Sequence, residues 1–133
     1  IEMIKVTSAI CQQAYKVDIK AEGGTTLVSD EPVSNGGQNL GPSPQELLAA
    51  ALAACTSITV KMYAARKGWD LQDVYIDVDL DRLDGENMTV INRAIRFTGN
   101  LDEAQTARLT AIANACPVHK ILTNPITVNT TLQ

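Results

Sequence analysis

Aromatic residues are scarce: one Trp, one Phe and three Tyr in 133 residues. So few rings exclude the stacking platform on which single-stranded nucleic acid rests. Positive charge is in deficit, with 11 Lys and Arg against 15 Asp and Glu and a net charge of −4. No basic stripe is left to neutralise phosphates, so nucleic acid and anionic membrane partners are not expected. There is a single histidine, and the three cysteines show no CxxC seed. A zinc site needs about four ligands, or three and a water. Cys11, Cys55, Cys116 and His119 would all have to converge, so no metal is expected. GxGxxG, Walker and GxSxG motifs are absent, and no bound cofactor is expected. The opening IEMIKVTSAI lacks a basic region followed by a long apolar stretch, so no signal peptide is expected. The apolar run 47–60 is bracketed by Glu46 and Lys61 and interrupted by Thr56, Ser57 and Thr59. It falls short of the roughly 20 apolar residues of a membrane span. A buried helix in a soluble, cytoplasmic protein is the expectation.

What is present reads as one domain over residues 1–133, long enough to bury a core without disulfide staples. Residues 2–10, 14–20 and 25–29 read as short strands of a meander, with Gly23-Gly24 as a turn signal. Residues 29–44, SDEPVSNGGQNLGPSP, form a long connection of the kind that is functional or pinned by a partner. Ser43, Pro44 and Glu46 then spell a helix start with a capping box, and nothing breaks the pattern before Gly68. Much of this helix is apolar on every side, so it should be buried all round. A second copy of the chain is expected to supply the cover that one copy lacks. DVYIDVDLDR (73–82) alternates with Val74, Ile76, Val78 and Leu80 inward, and pairs with 88–97 across the turn LDGEN. Asp102 and Gln105 cap a helix to about Ala115, Pro117 opens a short one, and ITVNTTL (126–132) reads as a final strand. The order is βββ-α-ββ-αα-β, an α+β fold.

An odd number of cysteines in such a chain favours redox or reactive roles over a disulfide framework. Cys116 precedes Pro117, at or near a helix start, where free N–H groups favour a thiolate. Cys55 sits mid-helix with no free backbone N–H, so a cation would have to reach it from another element. Either could equally be a small buried hydrophobe. His119, three residues after Cys116, could share its helical face. Glu46 belongs first to the capping box and, nine positions before Cys55, lies on the opposite helical face. Gln45, at ten, lies nearer the cysteine's side. Arg93 shares the parity of Ile91, Ile95 and Phe97, which puts it on the apolar face of its strand. An inward arginine needs an anion: an aspartate, a helix C-terminus or a thiolate.

The stretches DEPVSNGGQNLGPSPQELLAAALAACTSITVKMYAARKGW and LDEAQTARLTAIANACPVHKIL resemble the OsmC/Ohr family of thiol-dependent peroxidases, and its short OsmC-like branch most closely. The resemblance implies an intertwined homodimer with cysteine-bearing helices at its centre. It implies that Cys55 attacks an organic hydroperoxide and that Cys116 resolves the sulfenic acid as a disulfide. A dithiol reductant of lipoyl type then restores both thiols, with no metal or bound cofactor. Two departures accompany it. The arginine that activates the thiolate in well-characterised branches lies on the N-terminal meander, and here no arginine precedes Arg66. The glutamate that holds it, ten residues before the cysteine, is here Gln45, with Glu46 one step late. The activating pair is missing, or rebuilt around Arg93. The alternative to an enzyme is a redox-responsive or apolar-ligand-binding dimer on the same fold.

Overall fold

Three short antiparallel strands open the computed structural model, which describes residues 3–133. The chain divides into two compact units, Ile1–Leu48 and Ala49–Gln133.

In the first unit β1 (Val6–Ile10), β2 (Val17–Ala21) and β3 (Thr26–Ser29) lie side by side in chain order. Ile10 faces Val17, and Ile19 faces Leu27. The expected start of the first strand at residue 2 lies outside the described residues, and residues 3–5 are irregular. The second strand begins later than expected because residues 12–15 bend, with Lys16 N–H donating to Gln13 O at 3.1 Å. Gly24 makes the β2–β3 turn with a left-handed φ of 94°, a conformation that costs glycine nothing.

The long connection is pinned from within. Asp30 is buried, and its carboxylate accepts the N–H groups of Glu31 at 2.7 Å and of Gln38 and Leu40 at 3.2 Å each. Burial pushes the Asp30 carboxyl up, but the backbone N–H groups of Leu40, Glu31, Gln38 and Tyr15 outweigh it and hold it below the usual range. Gly37 is obligatory here, since a Cβ would run into the Glu31 carbonyl and the Asp30 side chain.

Helix α1 (Pro44–Lys67) begins and ends where its capping residues dictate. Ser43 Oγ accepts the Glu46 N–H at 3.2 Å while the Glu46 carboxylate accepts the Ser43 N–H at 2.9 Å. At the other end Gly68 N–H donates to Ala65 O and Trp69 N–H to Ala64 O, a Schellman close around Gly68 at φ 69°. By length and a mean hydropathy of 1.5 over its best 18 residues, α1 is long and apolar enough to cross a membrane. A core helix passes the same test. Only one stripe of it is buried in this chain, Leu52, Thr56, Val60 and Ala64. Ile58 and Met62 remain 57% and 59% exposed, so burial on all sides is not achieved by one copy.

In the second unit β4 (Asp70–Leu83) and β5 (Met88–Asn100) form a hairpin longer than the alternation predicts. Val78 pairs with Arg93 and Leu80 with Ile91, which keeps Arg93 on the half-buried face. The one irregularity, between Leu71 and Asp73, lies too far along the ladder to change that parity at Arg93. Helices α2 (Glu103–Ala113) and α3 (Pro117–Thr123) follow, the first opened by the Asp102–Gln105 capping box. Val60, Ala64, Leu71, Leu109 and Ala113 form the core, flanked by Trp69, Val74, Ile95 and Phe97. The final strand expected at 126–132 does not form. The segment alternates, but alternation is not a ladder. Its backbone meets no partner strand in this chain, and Ile126 and Val128 are 61% and 82% exposed.

Candidate active site

Cys55 and Thr56 are neighbours on α1, but only Thr56 belongs to the buried stripe. The helical rotation of about 100° per residue leaves Cys55 half-buried beside it. The turn after α2 brings Cys116 back toward them. Its backbone is extended at φ −66° and ψ 141°, as an N-cap must be, and Pro117 takes the first helical position of α3. The His119 N–H donates to Cys116 Sγ at 3.2 Å. The preceding N–H, that of Val118, points at Cys55 Sγ at 3.5 Å. Consecutive amides of one helical turn thus address the two sulfurs. All three cysteines are free thiols.

Arg93 reaches this pair from β5. Its Nη1 donates to Thr56 Oγ1 at 3.0 Å and to the Ala113 carbonyl at 3.4 Å, and its Nη2 donates to Asn114 Oδ1 at 2.7 Å. The inward arginine has therefore found a helix C-terminus, that of α2, where a cation is favoured. Among the described residues no carboxylate forms a salt bridge with it. Thr56 Oγ1 in turn lies 3.7 Å from Cys116 Sγ. Burial pushes the Cys116 thiol up, but the His119 N–H, the Thr56 hydroxyl, the Cys55 thiol and the Arg93 charge together hold it below the usual thiol range.

A cleft of about 360 Å³, which shares Arg93 and His119 with this site, is lined besides by Leu52, Ile91, Leu122, Thr89 and Thr123. His119 lines this cleft, and it is its backbone N–H that is hydrogen-bonded to Cys116. Glu46 and Gln45 are exposed, and the Glu46 carboxylate is engaged by Ser43, which lowers its pKa. Neither is hydrogen-bonded to Cys55 or Arg93 among the described residues. Cys11 is exposed just after β1. No group of three or more potential metal ligands converges among the described residues.

Sequence reasoning singled out Cys55, Cys116 and Arg93, which the fold brings together, and passed over Thr56 and Asn114. For Thr56 a signal existed: a polar residue stands on the i, i+4 stripe of Leu52, Val60 and Ala64.

Residues 36–131 match the model of the OsmC-like protein family. The chain belongs to the OsmC-like family. Solved structures share its fold. An OsmC-like protein of Mycoplasma pneumoniae is 18% identical with a TM-score of 0.76, over 91% of this chain and 87% of its own. A protein of Psychrobacter arcticus named for osmotic stress induction and detoxification is 24% identical with a TM-score of 0.74, over 91% and 88%. The organic hydroperoxide resistance protein OhrB of Bacillus subtilis is 21% identical with a TM-score of 0.62, over 92% and 91%. No curated protein matches the chain. The cation nearest the cysteines is Arg93 of β5, whereas the meander and most of α1 hold no arginine before Arg66.

Proposed function

We propose that this OsmC-like protein is a thiol peroxidase that reduces organic hydroperoxides through Cys55 and Cys116. The observation that carries the reading is the placement of the two thiols against consecutive N–H groups, with a guanidinium held beside them. Cys55, the less buried of the two, attacks the peroxide, an alcohol leaves and a sulfenic acid forms. Cys116 condenses with it to a disulfide, and a dithiol of lipoyl type reduces that bond by exchange. The cleft suits the substrate, since aliphatic Leu52, Ile91 and Leu122 and polar Arg93, His119 and Thr89 line it together. The hydroperoxide resistance named for OhrB agrees with it.

In this reading residues 1–133 act as one OsmC-like domain, in a cytoplasmic homodimer whose second copy covers Ile58 and Met62. Arg93 supports the thiolate, while Gln45 and Glu46 act only if the second copy brings them near. A redox-responsive or apolar-ligand-binding dimer is the rival, favoured by the lack of an arginine on the meander.

Intact mass and peptide mapping before and after one equivalent of an organic hydroperoxide test the reading. Loss of two hydrogens with a Cys55–Cys116 linkage, followed by turnover with a dithiol, supports the peroxidase. Linkage without turnover favours the rival. No change in mass refutes the redox pair.

A further inference from the structure

Donors converge on one sulfur of the pair. Cys116 Sγ takes the His119 N–H at 3.2 Å and lies 3.7 Å from Thr56 Oγ1, whose oxygen also holds Arg93 Nη1 at 3.0 Å. Cys55 Sγ accepts the Val118 N–H alone, at 3.5 Å. Hydrogen bonds given to an anion stabilise it, so the charge of a singly ionised pair settles where the donors are. Accessibility runs the other way. Cys116 has no exposed surface, whereas Cys55 is half-buried. The sulfur with more donors is not the sulfur with more exposed surface.

We propose that Cys116 is the base that activates Cys55, and that Thr56 is the positioning residue that holds Cys116 as the thiolate. The proposal rests on the peroxidase reading above. Thr56 is fully buried, so no water replaces it. Its single hydroxyl proton has two acceptors, the Leu52 carbonyl at 2.7 Å and Cys116 Sγ at 3.7 Å. Arg93 Nη1 occupies a lone pair of the same oxygen at 3.0 Å and polarises the O–H bond. When Cys116 is charged, the hydroxyl proton turns from Leu52 toward it.

The Cys116 thiolate takes the Cys55 proton as Cys55 Sγ attacks the distal peroxide oxygen. The O–O bond breaks, and the departing alkoxide takes that proton from Cys116 and leaves as the alcohol. Cys55 has lost two electrons and is a sulfenic acid, and the peroxide has gained them. Cys116, again a thiolate, attacks Cys55 Sγ and forms the S–S bond. The S–O bond breaks, and the hydroxide released takes a proton from solvent to become water.

The test uses the full chain in a Cys11→Ser background. Ultraviolet thiolate absorbance is followed against pH, and Cys55 sulfenic acid is followed after mixing with an organic hydroperoxide. Cys116→Ser should abolish the absorbance that rises first with pH, and slow Cys55 oxidation at neutral pH by roughly a hundredfold, the usual worth of a positioned base. Thr56→Val should move the first titration to higher pH and slow oxidation, and Thr56→Ser should restore both. A first titration that survives Cys116→Ser overturns the assignment of the thiolate. Thr56→Ser behaving like Thr56→Val reduces Thr56 to packing and overturns its role. Cys116→Ser oxidised at the wild-type rate overturns the base role alone, while a wild type inert to hydroperoxide overturns the peroxidase reading with it.

Discussion

Arg93 and Asn114 are joined at 2.7 Å, from the middle of β5 to the residue that ends α2. The same guanidinium reaches Thr56 on α1, so three elements meet on one planar fork. Lysine has no such fork. Arg93→Lys should keep the charge and lose the fork geometry, and Arg93→Ala should lose both. Both variants should raise the pH at which Cys116 ionises, the alanine more. Arg93→Ala should also destabilise the fold by about 1–3 kcal/mol, because partly buried acceptors lose their donor. Thiolate absorbance and denaturant melts measure the two effects separately.

The two thiols are expected to differ in consequence when removed. Cys55→Ser should abolish hydroperoxide consumption, and a variant with full activity would remove Cys55 from the reaction. Cys116→Ser should leave a sulfenic acid on Cys55 that a dimedone-type reagent traps. Trapping on Cys116 in the Cys55→Ser protein, with turnover retained, would reverse the roles.

Asp30 predicts an acid-sensitive loop. Its folded pKa lies below the ordinary 3.8, so its contribution is complete above that pH and is lost as pH falls through the lowered folded value. Asp30→Asn should lower the Tm at neutral pH and flatten the fall in stability below 3.8. Amide exchange at Gln38 and Leu40, which donate to the carboxylate, should rise in the same variant. Unchanged exchange there would count against the carboxylate as the pin of this loop.

Leu109 is wholly buried at the centre of the core of the second unit. Leu109→Ala should cost about 2–5 kcal/mol, as large-to-small core changes do. A loss below about 1 kcal/mol in equilibrium unfolding would mean that the site collapses around the cavity.

Local chemistry made much of this legible in advance. Ser43 with Glu46, Gly68, and Asp102 with Gln105 set helix ends through groups within a few residues of each other, so their effect needs no tertiary context. Arg93 was legible through strand parity, since the hairpin register carries no shift near it. Asn114 and the Val118 N–H were not, because each matters through a group 20 or more residues away, and Thr56 showed only as a polar residue on an apolar stripe, with nothing to say that Arg93 would meet it. The segment 126–132 shows the reverse failure: its alternation is local, but a strand needs a partner edge.

A Cys55–Cys116 bond would tie the middle of α1 to the start of α3, enclosing β4, β5 and α2. Closing a loop of that length removes enough freedom from the unfolded chain to add about 4 kcal/mol in the chain-entropy account. The oxidised protein should therefore melt well above the reduced one, and its unfolding midpoint would report the oxidation state of the pair. Each turnover would then alternately fasten and release a staple across the second unit, so a population short of reductant accumulates in its more durable form.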